Sequence, residues 1–440
     1  MLVDFKRNCE DFGKKGNVLS KLDALLKSET KAIIPETLII PVSFFNNKVR
    51  NRLYLGIELL TSDEKQEILK EIRKRFGNKR LVVRSSASCE DSILFTNSGQ
   101  YDSFLNLVSD SEIICAIEKI YYSFISENAR KYSEINNVTI SNEGMAVLIQ
   151  EVAPVYRAGV MFTSNPVTGQ DIAIIEFCDG LGEAVVAGQS RVTRLFETDL
   201  RLSKVFKRLI HIGKLIEEEM GSPQDIEWGI DIQNDIYIFQ ARPIVMHQRE
   251  CRNFALFEAI GYGNQLIISK GFTIGRISDE LPYKLIVQDG KLTSKDLIPI
   301  MDSKGIILRT GGMLSHFANI VREFNKPCII IEDKIQINAN QIYVLNAYDG
   351  SIAEFEGLTY DAKVCAIWNY ACDLVLNSSA NYKEELGIKK HSFFDTMTDC
   401  KCCSFELCGR TISVQYKGRS LELEFITKEL ASKFFNGTWT

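Results

Sequence analysis

The chain has no apolar run of the roughly 18 residues needed to cross a bilayer. Its N-terminus also lacks the charged-then-apolar pattern of a signal peptide. Positive charge is not in excess, because 52 Lys and Arg residues stand against 57 Asp and Glu residues, for a net charge of -5. These absences argue against a membrane-spanning protein and against a generally basic surface for nucleic acid or anionic membrane. We therefore expect a cytoplasmic protein that binds neither nucleic acid nor membrane.

Paired cysteine motifs are missing too, although the chain has 12 cysteines. Several cysteines lie singly among apolar residues, namely Cys115, Cys178, Cys328 and Cys365. We expect these to be small buried side chains. The cluster from Cys400 to Cys408 has one C-x-x-C spacing, from Cys400 to Cys403, but no second one to pair with it, so a metal site there is a minor alternative.

Low-complexity tracts, internal repeats and long Pro/Ser linkers are absent, and the chain is long enough for two or three domains. Residues 1–245 mix helical segments and strands. The stretch from His247 to Asn253 is charged and poor in apolar side chains, and we expect a linker over residues 246–262. Residues 263–357 hold short β-rich runs around one helix, and residues 358–440 form a tail with a helix near 360–377 and a hairpin near 411–424. The fold class is therefore α/β and α+β, multidomain.

The most informative segment is residues 310–323, TGGMLSHFANIVRE, which holds one of only four histidines. Apolar residues recur at helical spacing from Phe317 onward, so a helix begins near Ser315 and His316 lies at its N-terminus. Free N–H groups and the helix dipole favour a phosphate there, and an unprotonated imidazole is a competent nucleophile. A lone histidine at a helix start is more often a cap or a packed side chain, so this motif by itself does not establish chemistry.

Motifs in the first region are consistent with a nucleotide site. Arg84 ends a strand (residues 81–84, LVVR) at a hydroxyl-rich loop, where its guanidinium suits a phosphate. Gln150 ends a second buried strand and suits a base edge. Glu183 lies in a glycine-rich bend (residues 180–186), which is a weak phosphate signature on its own. Each of these also has a plain reading as a turn or a solvated strand end.

A third motif combines Glu227 with Gln240 and Arg242. If residues 233–235 close a hairpin, Glu227 and Gln240 lie on neighbouring strands, and alternation places Gln240 and Arg242 on one face. Two oxygen ligands beside a guanidinium are the groups that hold Mg²⁺ and a triphosphate. An exposed polar face is the alternative that this motif alone leaves open.

Taken together and in this order, the motifs resemble the phosphoenolpyruvate synthase and pyruvate phosphate dikinase family over roughly residues 10–357. The match from Gly311 to Glu323 resembles the family's phosphohistidine segment, in which Gly-Gly-x-x-(Ser/Cys/Thr)-His leads into Ala-x-x-x-Arg-Glu. The resemblance implies an ATP-grasp-like nucleotide-binding domain, followed by a swivelling β/β/α phosphohistidine domain. Residues 269–277 resemble the entry strand of the second domain, with Lys270 in place of the usual proline.

The resemblance also implies roles for individual residues. His316 is the phosphocarrier and Arg242 the catalytic arginine, with Thr310 and Ser315 as phosphate partners of the histidine. The implied ATP-binding residues are Lys15, Arg84, Gln150, Glu183, Glu227 and Gln240, of which Glu227 and Gln240 also hold Mg²⁺. Lys14 stands where members have glycine, which leaves open whether Lys14 or Lys15 meets the phosphate. Ser164 stands where many members have arginine.

The acceptor side of the reaction has no counterpart in these 440 residues. About 80 residues follow the histidine domain, far fewer than the roughly 250 of a (β/α)8 barrel. The sequence thus predicts a dikinase-type phosphotransferase that uses ATP and Mg²⁺ and an unidentified small-molecule acceptor. Two alternatives remain: a nucleotide-binding regulatory or scaffold protein, and one subunit of a split dikinase whose partner supplies the barrel.

Overall fold

The computed structural model describes residues 2–4, 10–88, 103–126, 143–180, 193–200, 202–244, 246, 265–277, 284–288, 299–300, 303–332, 334–339, 341–377, 388–395, 403–416, 419–429 and 431–432. Within these residues the chain forms two compact units. The first contains Met1–Met246 and, further along the chain, Leu314–Glu323. The second contains His247–Gly290, Ile298–Met313 and Phe324–Thr440. The domain boundaries expected near residues 245, 262 and 357 stay predictions.

The first sheet of the first unit is antiparallel and has the order β1-β2-β5-β3-β4. Its strands are β1 (Val3–Asp4), β2 (Thr37–Ile40), β3 (Leu81–Ala87), β4 (Ser103–Leu107) and β5 (Met145–Glu151). Four helices precede or follow these strands: α2 (Val42–Phe44), α3 (Arg50–Leu55), α4 (Ser62–Phe76) and α5 (Asp110–Ser123). Helices α4 and α5 each start with a capping box, in which Thr61 pairs with Glu64 and Ser109 with Glu112. Their buried isoleucines join the core above this sheet.

The second sheet of the first unit is also antiparallel and has the order β10-β9-β6-β7-β8. Its strands are β6 (Val155–Phe162), β7 (Ile174–Asp179), β8 (Thr193–Phe196), β9 (Gln224–Asp231) and β10 (Ile236–Pro243). Two long helices, α1 (Gly13–Glu29) and α6 (Lys204–Met220), bury their apolar residues against it. The short helix α7 (His316–Glu323) also belongs to this unit.

The second unit holds a mixed seven-stranded sheet, in the order β11-β15-β14-β13-β12-β16-β17. Its strands are β11 (Leu266–Ser269), β12 (Phe272–Ile277), β13 (Lys284–Gln288), β14 (Gly305–Leu308), β15 (Cys328–Ile330), β16 (Ile342–Asn346) and β17 (Ser351–Glu354). Helix α8 (Tyr360–Asn377) follows. An antiparallel sheet, β18-β21-β20-β19, comprises β18 (Ile388–Asp395), β19 (Cys403–Cys408), β20 (Thr411–Tyr416) and β21 (Arg419–Phe425). Residues of α8, β12 and β20–β21 share one apolar core.

Several expectations about local structure are confirmed. The helix near 360–377 and the hairpin near 411–424 are present, although the turn residues 417–418 lie outside the described residues. Cys328 and Cys365 are buried as expected, whereas Cys178 is half-buried. The expectation was wrong for Cys115, which is exposed because it lies on the outer side of α5. Within the described residues, no helix is both long and apolar enough to cross a membrane.

Candidate active site

The centre of the candidate site is the β9–β10 hairpin. Its turn includes Asn234, whose φ of 64° is tolerated by asparagine. The antiparallel register pairs Gln240 with Glu227 and Arg242 with Asp225. Between these pairs lie Ile226 and Ala241, which point to the opposite side and join the apolar core. The hairpin predicted from the sequence is thus confirmed, and its polar side chains share one face.

Arg84 joins this face from the neighbouring sheet. Its Nη2 donates to Glu227 Oε2 at 2.8 Å and lies 3.4 Å from Gln240 Oε1, while its Nη1 lies 3.4 Å from the carbonyl of Phe239. Arg84 is half-buried, whereas Glu227 and Gln240 are buried. The structure therefore brings Arg84 together with Glu227, 143 positions later in the chain, and with Gln240, 156 positions later.

A second charged pair lies beside the first on the same hairpin. Arg242 Nε donates to Asp225 Oδ2 at 2.8 Å, and both side chains are almost fully buried. Burial raises the pKa of the Asp225 carboxyl and Glu227 adds to that rise, while Arg242 and Asn319 oppose it. The same Oδ2 atom accepts a hydrogen bond from Asn319 Nδ2 at 2.9 Å. A buried carboxylate of this kind needs its donors, because an unpaired charge in a low-dielectric site is costly.

The N-terminus of α1 is fixed against the end of β3. The backbone N–H of Gly16 donates to Ser86 Oγ at 3.1 Å, and that hydroxyl donates to the carbonyl of Phe12 at 2.7 Å. Gly13 has a φ of +66°, and a Cβ at this position would lie 2.0 Å from the Ser86 carbonyl oxygen, so glycine is required there. Lys15 follows on the first turn and is half-buried, whereas Lys14 is exposed. Lys14 and Lys15, either of which the sequence allows as the phosphate contact, thus lie at the start of α1. This end of the helix packs against β3, the strand that carries Arg84.

Helix α7 begins at His316, as the apolar spacing predicts. Ser315 caps it, since its Oγ accepts a hydrogen bond from the Ala318 N–H at 3.2 Å. The side chain of His316 lies outside the described part of the structure. Thr310 is an exposed residue in a bend of the second unit. The roles expected for Ser315 and Thr310 in holding a phosphate stay predictions.

Two other predicted site residues do not join the cluster through a described contact. Gln150 is buried on β5, and its Nε2 donates to Thr37 Oγ1 at 2.9 Å. Glu183 lies outside the described residues. Their expected roles in nucleotide binding stay predictions.

The sequence reading gave no role to three residues that the structure draws into the site. Asp225 is one; alternation with Glu227 and pairing with Arg242 were available signals. Asn319 is another, one turn after His316. Glu176, on β7, accepts the Leu314 N–H at 2.9 Å and is also bound by Arg194 Nε at 2.7 Å. No local sequence pattern predicts the contact between Glu176 and Leu314, because 138 positions separate the two residues.

Family models match both the region of the β9–β10 hairpin and the region around His316. The model for the AMP/ATP-binding domain of pyruvate phosphate dikinase matches residues 60–199 and 192–255. The model for the mobile domain of PEP-utilising enzymes matches residues 286–350. The resemblance found in the sequence is therefore confirmed, and so is the ATP-grasp-like nucleotide-binding fold followed by a mobile domain.

Curated relatives match the chain at low identity. A probable phosphoenolpyruvate synthase from Methanothermobacter thermautotrophicus is 28% identical over 339 residues, which cover 65% of this chain and 49% of that protein. The phosphoenolpyruvate synthase of Pyrococcus furiosus is 24% identical over 61% of this chain and 40% of its own length. The rifampicin phosphotransferase of Streptomyces sviceus is 30% identical over 37% of this chain and 23% of its own length. The chain thus spans half or less of the length of these relatives.

Among solved structures, VanG D-Ala:D-Ser ligase from Enterococcus faecalis aligns over 55% of this chain and 54% of that chain. The TM-score is 0.28 and the sequence identity is 11%.

Proposed function

We propose that the chain transfers a phosphoryl group from ATP to His316 and then to an acceptor, because it matches the ATP-binding and mobile-domain models of dikinases and PEP-utilising enzymes. The supporting observation is the convergence of Arg84, Glu227 and Gln240 on one buried face that also carries Arg242. These groups meet in a chain that also has the phosphohistidine segment.

In the proposed reaction an unprotonated nitrogen of the His316 imidazole attacks the β-phosphorus of ATP. A nitrogen–phosphorus bond forms, the bond from the β-phosphorus to the α-phosphate oxygen breaks, and AMP leaves. The γ-phosphoryl group is released to water as phosphate. Arg84 and Arg242 stabilise the negative charge that develops on the transferring group, and Lys15 is proposed to contact the nucleotide phosphates.

The residues present fit a magnesium ion. The carboxylate of Glu227 and the side-chain oxygen of Gln240 lie on paired strands, and hard oxygen ligands are what Mg²⁺ prefers. Among the described residues no three His, Cys, Asp or Glu side chains form a metal site by themselves, and Mg²⁺ ordinarily completes its shell with phosphate oxygens and water. Bound there, the ion would neutralise phosphate charge.

The acceptor is proposed to be a small molecule or a group on a partner chain. The printed names of the relatives, phosphoenolpyruvate synthase and rifampicin phosphotransferase, give two starting points for a screen.

The test is turnover of ATP with Mg²⁺ and no acceptor, for wild type and His316→Ala, with the adenosine product identified. We expect AMP and an acid-labile, base-stable phosphoryl group on wild type but not on the variant. ADP as the product would keep a kinase and overturn the carrier mechanism. No phosphoenzyme on wild type would favour a nucleotide-binding protein, or a subunit that needs its partner.

A further inference from the structure

The hydrogen bonds around helix α7 converge on one carboxylate of the nucleotide-binding hairpin. Asp225 Oδ2 accepts from Arg242 Nε at 2.8 Å and from Asn319 Nδ2 at 2.9 Å. Asn319 is buried and follows His316 by three positions, so the two residues occupy neighbouring positions on one side of the helix. One oxygen atom therefore links the histidine helix to the arginine proposed to act in the reaction.

A second carboxylate holds the segment on the other side of His316. Glu176 accepts the Leu314 N–H at 2.9 Å, and its carboxylate is bound at the same time by Arg194. The two attachment points, Leu314 and Asn319, thus flank His316 in sequence. At the end of the helix, the Arg322 guanidinium carbon lies 5.5 Å from the centre of the Phe162 ring, and Arg322 also donates to the side-chain oxygen of Asn319.

We propose that Asn319 is a positioning residue, which sets His316 in register with the β9–β10 face through its hydrogen bond to Asp225. The proposal rests on the function proposed above. Asn319 does not itself contact the reacting atoms; it acts because Asp225 also orients Arg242. Loss of this hydrogen bond should slow phosphorylation of the histidine and leave ATP affinity unchanged, since Arg84, Glu227 and Gln240 remain in place.

The decisive variants are Asn319→Asp and the swap Asp225→Asn/Asn319→Asp. In the single variant two buried carboxylates face each other, and Arg322, which donates to the side chain of residue 319, offsets only part of their repulsion. In the swap the amide nitrogen of residue 225 can donate to the carboxylate of residue 319, while its amide oxygen still accepts from Arg242. Asn319→Leu removes both the donor to Asp225 and the acceptor of Arg322 at nearly constant volume, and it adds no charge. Asn234→Asp, at the hairpin turn, is the matched control for the same chemical change outside this network.

The measurement is the single-turnover rate of phosphoenzyme formation in the full-length protein, together with ATP affinity. We expect a slowing of at least about 100-fold for Asn319→Asp and about 10-fold for Asn319→Leu, with wild-type ATP affinity, wild-type behaviour of Asn234→Asp, and substantial recovery in the swap. A wild-type rate for Asn319→Asp, or a swap no faster than that single variant, would overturn the proposal.

A second readout separates this proposal from the proposed function. Amide hydrogen exchange of residues 316–323 reports attachment of the helix whether or not phosphate is transferred. If wild type forms no phosphoenzyme, the proposed function fails, and exchange then decides on Asn319. Faster exchange in Asn319→Asp that the swap reverses supports the positioning role, whereas equal exchange in all three proteins contradicts it.

Discussion

Two hairpins of the same architecture use their polar residues in opposite ways. In β9 of the first unit all eight residues are buried, so both faces of the strand are covered. In β21 of the second unit the inner residues Leu421 and Leu423 are fully buried, while Glu422 between them is exposed. Both strands alternate apolar and polar side chains, and the alternation alone predicts one solvated face for each.

The difference lies in what covers the polar face. On β20–β21 it faces solvent, where Arg410 Nη2 and Glu424 Oε1 form a half-exposed ion pair at 3.1 Å. On β9–β10 it is buried, and its charges are matched by Arg84, Arg242 and Asn319. Burying charge costs stability unless every group is paired, so a sheet that does so is a candidate for function rather than for structure alone.

The largest expected effect comes from breaking the buried pair of the first hairpin. Arg242→Met leaves the Asp225 carboxylate buried with one donor fewer, and we expect the free energy of unfolding of the first unit to fall by about 3–5 kcal/mol. Chemical denaturation followed by the fluorescence of Trp228 measures it. The double variant Asp225→Leu/Arg242→Met should regain most of the stability; if it is as unstable as the single variant, unpaired charge is not the cause.

A smaller effect is expected on chemistry when charge is removed but shape is kept. Glu227→Gln should lower the single-turnover rate of AMP formation by about 100-fold or more, because the proposed Mg²⁺ site loses its carboxylate. The matched control is Glu422→Gln on the exposed face of β21, which should retain the wild-type rate. Equal rates for wild type and Glu227→Gln would remove Glu227 from the proposed site.

The second unit also buries a charged group, the amine of Lys304, and the pH dependence of stability tests what this burial costs. Lys304 Nζ donates to Tyr370 Oη at 2.6 Å, and burial, with a contribution from Lys326, lowers the pKa of Lys304 to about 7. Between that value and the ordinary lysine pKa of 10.5, the unfolded chain binds one more proton than the folded chain. The free energy of unfolding of the second unit should therefore rise with pH above about 7, by up to about 1.4 kcal/mol per pH unit. Well below pH 7 this group should add no pH dependence, because it is protonated in both the folded and the unfolded chain.

The measurement is chemical denaturation from pH 6 to 9, with wild type compared with Lys304→Met. The variant should lose this slope. Lys326→Met should move the onset of the slope to higher pH, because removal of a neighbouring positive charge raises the pKa of Lys304. Parallel pH profiles for wild type and Lys304→Met would contradict the burial of this charge.

The smallest effect is expected at the exposed pair of the second hairpin. Arg410→Met makes the same chemical change as Arg242→Met, but in a half-exposed ion pair, so the free energy of unfolding should change by less than about 1 kcal/mol. The same denaturation experiment measures it. A loss as large as that of Arg242→Met would mean that burial does not explain the contrast between the hairpins.

Local patterns predicted the elements of the site better than its contacts. The β9–β10 hairpin and the start of α7 follow from alternation and helical spacing. Arg84 contacts both Glu227 and Gln240, while the ligand roles that the resemblance implies for these residues stay predictions. Asn319 and Glu176 were missed because their partners, Asp225 and Leu314, lie 94 and 138 positions away. The expected burial of Cys115 was wrong because its apolar neighbours in sequence lie on the buried side of α5, whereas Cys115 lies on the exposed side.

The packing of α1 has a consequence for synthesis of the chain on the ribosome. Leu19, Leu22 and Leu26 of this helix are buried in a core that includes Trp228 and Ile238. The helix leaves the ribosome before these partners, which follow about 200 residues later; at roughly 5–20 residues per second this takes on the order of ten seconds or more. During that interval the apolar side of the helix lacks the part of its native cover that β9 and β10 supply. Nascent chains halted before Gln224 should therefore bind chaperones more strongly than chains halted after Pro243.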